Sequence, residues 1–363
     1  MIRTRKHRTN VFREQVKREW SIKFRRFVED NPDKPWNWSY LSNNPNITFD
    51  IVLAHSDKDW DWDDLSTHPN ITFDSVLTYP DKPWDWNSLS ANPNITFDIV
   101  QAYSDKPWNW ECLSYNPNIT FDNVLSHPDK PWNWKSLSLN PNITFDIVQS
   151  YSDKPWDWCR LSNNPYITID IVITHLYKPW NWDFLSGNPN ITFDIVQSYP
   201  ELPWTWSWLG WNPNITCDII LAHPDKPWNW SYLSQNPNIT FDIVKSYPNK
   251  SWNWYWLSCH PNITFDIVLS HPDKPWSWKA LSWNSSITFD IVQSYHERPW
   301  DWKSLSDNSF STAKQRFIEK KYNEYLSAYR IQQCWNRAIS IPTNPMCKRK
   351  QKRDYEKCFG ILC

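Results

Sequence analysis

The sequence predicts an all-α solenoid of twelve 24-residue helix-turn-helix repeats with helical end caps, and three observations predict it. The first Trp of a Trp-x-Trp pair falls at Trp36, Trp60, Trp84 and onward to Trp300, twelve times at a spacing of 24 without insertion, and a fixed period of this length marks a repeat array. Each repeat carries two helix-start signals. Glycine is scarce, with 3 Gly against 30 Trp and 29 Pro in 363 residues, so the glycine-built phosphate loops and nucleophile elbows of common enzymes have no material here.

The elements follow in chain order. In residues 1–32, Phe12, Val16, Trp20, Phe24 and Phe27 recur at helical spacing, which predicts a basic, amphipathic capping helix. The array occupies 33–308. Between the two Trp of each repeat stands Asn37, Asp61, Asp85 or an equivalent Asn, Asp, Ser or Thr, residues whose side-chain oxygen caps a helix N-terminus. A short helix is expected from Trp38 through Leu41, a Leu in all twelve repeats, to Asn44-Pro45, where the residue before Pro leaves the α region. A second start is expected at Thr48, a Thr in all eleven repeats that reach it, with Ile47 and Val52 spaced for a hydrophobic staple and Asp50 in the first turn where the helix dipole favours a carboxylate. That helix covers about Phe49 to His55. The residue at Ala54, Thr78, Ala102 and onward is small, as close helix approach would need. Helices of two turns are marginal alone, so stacking on neighbouring repeats must stabilise them.

A leucine-rich-repeat-like or other β-solenoid is the alternative, because 24 residues is also a usual length for that repeat. Its register fails: with Leu41 as the fourth position of the motif, Asn43, Thr67 and Ala91 stand where a buried Leu is needed.

The string Asp-Lys-Pro-Trp-Asp-Trp at Asp81 to Trp86, followed by Leu89-Ser90 and Asn92-Pro93-Asn94-Ile95-Thr96, resembles the tandem repeats of a protein family of giant DNA viruses of amoebae, relatives of mimivirus and marseillevirus. The resemblance covers about three quarters of the chain. It implies a viral protein made in an infected host and brings no activity with it.

A longer period lies inside the first. From Tyr103 the end of the second helix alternates Tyr and His (Tyr103, His127, Tyr151, His175), and Gln accompanies the Tyr at Gln101, Gln149 and Gln197. The array reads as grown by copying 48-residue pairs.

After the array, Ile318, Tyr322, Leu326 and Tyr329 predict a capping helix over 309–345, and 346–363 form a basic, Cys-containing tail. Net charge of −1 conceals a partition: residues 1–32 hold 10 basic and 4 acidic side chains, 309–363 hold 12 and 4, and the array carries −15. Basic tails beside an acidic array suit end caps best, with nucleic-acid contact by the tails as a weaker reading. The run Lys348 to Arg353 is similar to a nuclear-localisation signal. Cys334, Cys347, Cys358 and Cys363 lack the paired spacing of a zinc site, while Cys112, Cys159, Cys217 and Cys259 each replace another residue in one repeat and read as packing variants. Asn46-Ile47-Thr48 and eight equivalents match the glycosylation sequon, read here as Asn serving the turn and Thr the cap.

A catalytic residue would be singular, whereas Asp50 and its equivalents recur at every second helix and no lone nucleophile pairs with a base. The chain therefore reads as non-enzymatic, without cofactor or metal: a protein-binding scaffold, with a structural or self-assembling virion or virus-factory component as the alternative. No apolar run approaches 18 residues, and Met1 to Asn10 is basic with no apolar segment behind it, which predicts a soluble, non-secreted protein with no membrane partner. With the viral resemblance, the expected location is host cytoplasm or virus factory, or the virion. The columns at Tyr40 and at Asn43 differ from repeat to repeat, and in later repeats they are aromatic at Phe184, Trp208, Trp211, Tyr232, Trp256 and Trp283. These six are the candidate protein-binding residues, the alternative being that they extend the Trp core.

Overall fold

A computed structural model describes the backbone of residues 2–340, 345–346 and 348–349, and the side chains of these except 2–11, 336, 339 and 340. Among the described residues the chain is helical throughout, with no strand, and no helix is long and apolar enough to cross a membrane. The β-solenoid alternative is thereby excluded. Cys347, Cys358, Cys363 and most of the basic run after Lys348 lie outside the described residues.

The chain divides into two compact bodies, one of residues 1–22 with 312–363 and one of residues 23–311. In the first, the start of the N-terminal helix (Ile2–Glu29) pairs antiparallel with the C-terminal helix (Ser311–Ser340). Phe12 stacks on Tyr325 at 4.4 Å, Trp20 meets Phe317 at 5.6 Å, and Lys321 bonds Glu19 at 2.6 Å.

The second body holds the array. In repeat 1 the first helix is Trp38–Ser42 and the second Phe49–Ala54, and the pattern recurs to the first helix of repeat 12, Trp302–Asp307. The expected first cap is present: the side chain at the Asn37 position accepts a backbone N–H in every repeat except that of Thr205. The second is weaker than expected. Thr48 and Thr144 occupy the N-cap position without a capping hydrogen bond, and Thr96, Thr192, Thr216 and Thr288 make long ones of 3.2–3.4 Å.

Three contacts join the repeats, all present at every interface except that of Gly210, which lacks the second. The second Trp of one repeat meets the first Trp of the following one edge to face, centroids 4.9–5.3 Å apart, at all twelve interfaces, a geometry worth about 0.5–1.5 kcal/mol beyond area burial. The first Trp is fixed in turn by its indole N–H, which donates to the carbonyl five residues earlier, as from Trp60 to His55 at 2.8 Å. The Ser42 hydroxyl accepts the N-cap N–H of the next repeat, Asp61, at 2.8 Å. The third contact is a ladder of buried asparagines: Asn140 donates to the carbonyls of Ser114, Asn116 and Ile119 at 2.9–3.1 Å. Beside it Asn142 donates to Pro117 and Ile119 at 2.8 and 2.9 Å. The sequon Asn is thus an inter-repeat clamp as well as a turn residue.

The array closes on itself. Asn37 donates its backbone N–H to Ser306 at 3.0 Å, Asn44 bonds the carbonyls of Ser306 and Asn308 at 2.7 and 3.0 Å, Asn46 bonds that of Ser309 at 2.8 Å, and Trp302 meets Trp36 at 5.0 Å. These are the contacts of the other interfaces, formed between repeat 12 and repeat 1. Repeat 12 has no second helix of its own, and the end of the N-terminal helix fills the slot. Phe27 and Val28 are buried, with Phe27 against Phe289, Phe310 and Trp36 at 4.6–5.7 Å. The Trp36 indole donates to Asn31 at 2.9 Å as its equivalents do to His or Tyr. At the junction Phe310, fully buried, takes φ 47°, where the chain leaves the repeat path for the C-terminal helix. The expectation that terminal helices cover two exposed ends is corrected accordingly: the ends bond each other, and the N-terminal helix completes a repeat.

Curvature follows from side-chain size. Consecutive first helices pack directly on one another, with Ser at the contact and, in repeat 8, Gly210. Between consecutive second helices stand aromatic rings, Phe73 against Tyr103 and Trp108 at 5.0 and 6.0 Å. A layer of small residues inside and one of rings outside turns each repeat by about 30°, a twelfth of a circle. The small residues at Ala54, Thr78 and Ala102 are exposed and do not mediate close approach, contrary to expectation; the Ser42 column does.

Candidate binding surface on the inner face

Each first helix has neighbours on both sides and the second-helix layer behind it, so its remaining side faces the centre of the closed array. The columns of Ser39, Tyr40 and Asn43 lie on that side, and they differ from repeat to repeat while the packing columns stay nearly constant.

The six predicted residues all stand there. Trp211, Trp283 and Tyr232 are 47, 44 and 39 % exposed, and Phe184, Trp208 and Trp256 are half-buried. Phe184 meets Trp208 at 5.4 Å and Trp208 meets Trp211 at 5.7 Å, both edge to face, a continuous row of rings across repeats 7 and 8. Trp256 packs on Tyr255 at 5.4 Å, and Trp283 stands beside Asp307. Tyr255, which the two variable columns did not include, belongs with them through the third column. Tyr40, across the closure, lies under Lys303 at 4.7 Å, so Trp283 and Tyr40 flank the seam from repeats 11 and 1.

The opposite wall is polar. Repeat 2 presents Asp63 and Asp64, repeat 4 Glu111 and Tyr115, and repeat 12 Asp307. Burial raises the Asp64 carboxyl above its usual range, and the charges of Asp61, Asp63 and Asp307 add to the rise. Burial likewise raises Asp307, opposed by the Trp283 side chain. The Tyr115 phenol is pushed up to about 12 by burial, with its hydrogen bond to Cys112 adding to the rise. Cys112, Cys159, Cys217, Cys259 and Cys334 are free thiols, and burial pushes Cys259 up to about 11, the direction of an inert packing residue.

Outside, one groove recurs between neighbouring second helices. Between repeats 4 and 5 it holds about 580 Å³ and is lined by Pro128, Pro131, Trp132, Trp134, Tyr151 and Lys154 among others, and equivalents lie between repeats 5 and 6 and between repeats 7 and 8. Its Lys lies over a Trp ring, as Lys154 does over Trp134 at 5.7 Å, and pairs with the adjacent Asp153. The groove is a product of repeat packing.

No protein-family model, curated protein or solved structure matches this chain.

Proposed function

We propose that this protein is a non-enzymatic protein-binding scaffold whose inner face is the recognition surface, made in an infected host cell by a giant DNA virus and acting in the cytoplasm or virus factory. One observation carries the reading: residue variation is concentrated on the one face that repeat packing leaves unconstrained, and seven aromatic side chains gather there in repeats 7 to 11. A regular framework with a variable concave face suits partner recognition, and exposed Trp and Tyr are the side chains most often found at interface hot spots. The viral origin rests on the repeat motif alone.

In the alternative, a structural or self-assembling virion or virus-factory component, copies would join by attraction between basic tails and acidic arrays rather than through repeat ends, since those of repeats 1 and 12 are engaged with each other. The test is affinity purification with the intact chain and with a variant carrying Trp211→Ala, Tyr232→Ala and Trp283→Ala. Loss of partner recovery with unchanged helicity is the expected result. Full recovery by the folded variant would place recognition elsewhere.

A further inference from the structure

From the way the inner face divides, we infer that the closed array receives an amphipathic helix with one apolar and one basic face. The inference rests on the inner face being the docking surface and adds the chemistry of its occupant. In a ring of twelve, repeat n faces repeat n+6 across the centre. Trp208 and Trp211 of repeat 8 therefore face Asp63 and Asp64 of repeat 2. On the three inner columns repeats 7 to 10 present six aromatic side chains, one carboxylate, Asp183, and no cation; repeats 1 to 4 present three carboxylates, two tyrosines and no cation; and the cations of these columns, Lys135, Arg160, Lys279 and Lys303, stand in repeats 5, 6, 11 and 12. An apolar wall confronts an acidic one.

The dimension also fits. First helices spaced about 9 Å apart on a twelve-membered circle have axes about 17 Å from its centre. Subtracting a helix half-width of about 5 Å leaves a passage about 24 Å across, which admits one helix of about 10–12 Å with its side chains. A helix seated with its apolar face on the aromatic wall turns its Lys and Arg stems into the passage and their charge toward the carboxylates opposite. Such a ligand answers both walls at once. It also brings positive charge toward Asp64, whose carboxyl is raised by burial and by the charges of Asp61, Asp63 and Asp307. An acidic amphipathic helix would meet like charge, and a basic segment without an apolar face would leave the aromatic wall in water.

The test titrates the full chain with three labelled synthetic peptides of about 18 residues: a Leu/Lys amphipathic helix, its Leu/Glu counterpart, and a Lys/Ser peptide with no apolar face. Fluorescence anisotropy at physiological salt should show the Leu/Lys helix binding at least tenfold more tightly than either other peptide. Affinity should fall at least tenfold both in Asp63→Asn with Asp64→Asn and in Trp211→Ala with Tyr232→Ala. Asp122→Asn with Asp146→Asn, on exposed second-helix positions, should leave it within twofold. Equal binding of the Leu/Glu helix, or binding indifferent to either inner pair, overturns the inference. If the Leu/Lys helix fails to bind while the aromatic triple variant still loses its cellular partner, the inner face stands as the docking surface and the basic helix falls; if the partner is also retained, both fall.

Discussion

At the scale of single residues, the asparagine before each Pro is the residue whose role reaches furthest. Asn140 is fully buried and satisfies three carbonyls of the preceding repeat, so removing it strands acceptors that water cannot reach. Asn140→Ala is therefore expected to cost about 2–4 kcal/mol, more than the roughly 1 kcal/mol for the partly exposed cap Asn133→Ala; chemical denaturation of the two variants decides, and a larger loss for Asn133→Ala contradicts the ladder. Local reading accounts for Asn44-Pro45 fully as a helix stop, which is why the ladder is not legible there: its partners lie 21–26 residues away. In repeats 2 and 10 a His takes the same place. His260 donates through Nε2 to the Asn236 carbonyl at 2.9 Å and accepts the Asn262 N–H on Nδ1 at 3.2 Å, a geometry that requires the neutral ring. Burial lowers its pKa from 6.5, opposed by the bond to Asn236. With the folded value below the unfolded one, the unfolded chain takes up the proton first, so stability declines as pH falls through about 6.5. His260→Asn should remove that share: its melting temperature relative to wild type should rise on going from pH 7.5 to 5, and parallel curves would refute the role given to the ring.

At the scale of elements, the two short helices and their limits are legible because cap, staple and Pro lie within a few residues of the elements they delimit. What joins the elements is less so. The Ser42 column is unremarkable in sequence, yet its hydroxyl caps the next repeat at eleven of twelve interfaces; at the twelfth stands Gly210, and the Asn229 N–H goes without it. A Cβ on Gly210 would meet Asn229 O at 3.5 Å and Leu233 at 3.6 Å, ordinary contact. Gly210→Ser should thus stabilise the chain by about 1–2 kcal/mol, from the restored hydrogen bond and the gain in helix propensity, and a lower melting temperature would show that the site cannot accept its own repeat consensus. The 48-residue pairing also has a visible cause: Gln101 bonds His127 and Gln149 bonds His175, at 2.8 and 3.2 Å, while Tyr and His serve alike as rings for the preceding Phe, as Phe73–Tyr103 and Phe97–His127 show. The N-terminal helix is legible as amphipathic but not as the missing half of repeat 12, because Arg25 to Asp30 keeps only Val28 of the Phe-Asp-Ile-Val pattern. Phe27→Ala should cost about 3–5 kcal/mol, as for a core ring, although Phe27 lies outside the repeats; a loss below 1 kcal/mol would mean the slot is filled by something else.

At the scale of the whole array, closure changes what the charges mean. Eleven exposed Asp, one at the start of each second helix, account for most of the −15, and of these eleven Asp242 pairs with Lys245; the twelfth position is Arg26. That charge lies on the second helices, apart from the inner face where aromatic and acidic walls confront each other. Closure is illegible from sequence because a 24-residue period fixes the neighbour interface but not the angle between neighbours, and twelve repeats form an open coil or a ring according to a few degrees set by ring size between the second helices. The direct measurement is a pulsed electron-paramagnetic distance between spin labels, attached through genetically encoded residues, at Lys303 and Ser39 of repeats 12 and 1, beside the same measurement at Lys279 and Lys303 of repeats 11 and 12. Closure predicts two coincident distance distributions, since the two pairs are equivalent neighbours. A Lys303–Ser39 distance longer by tens of ångströms would describe an open array and contradict the account.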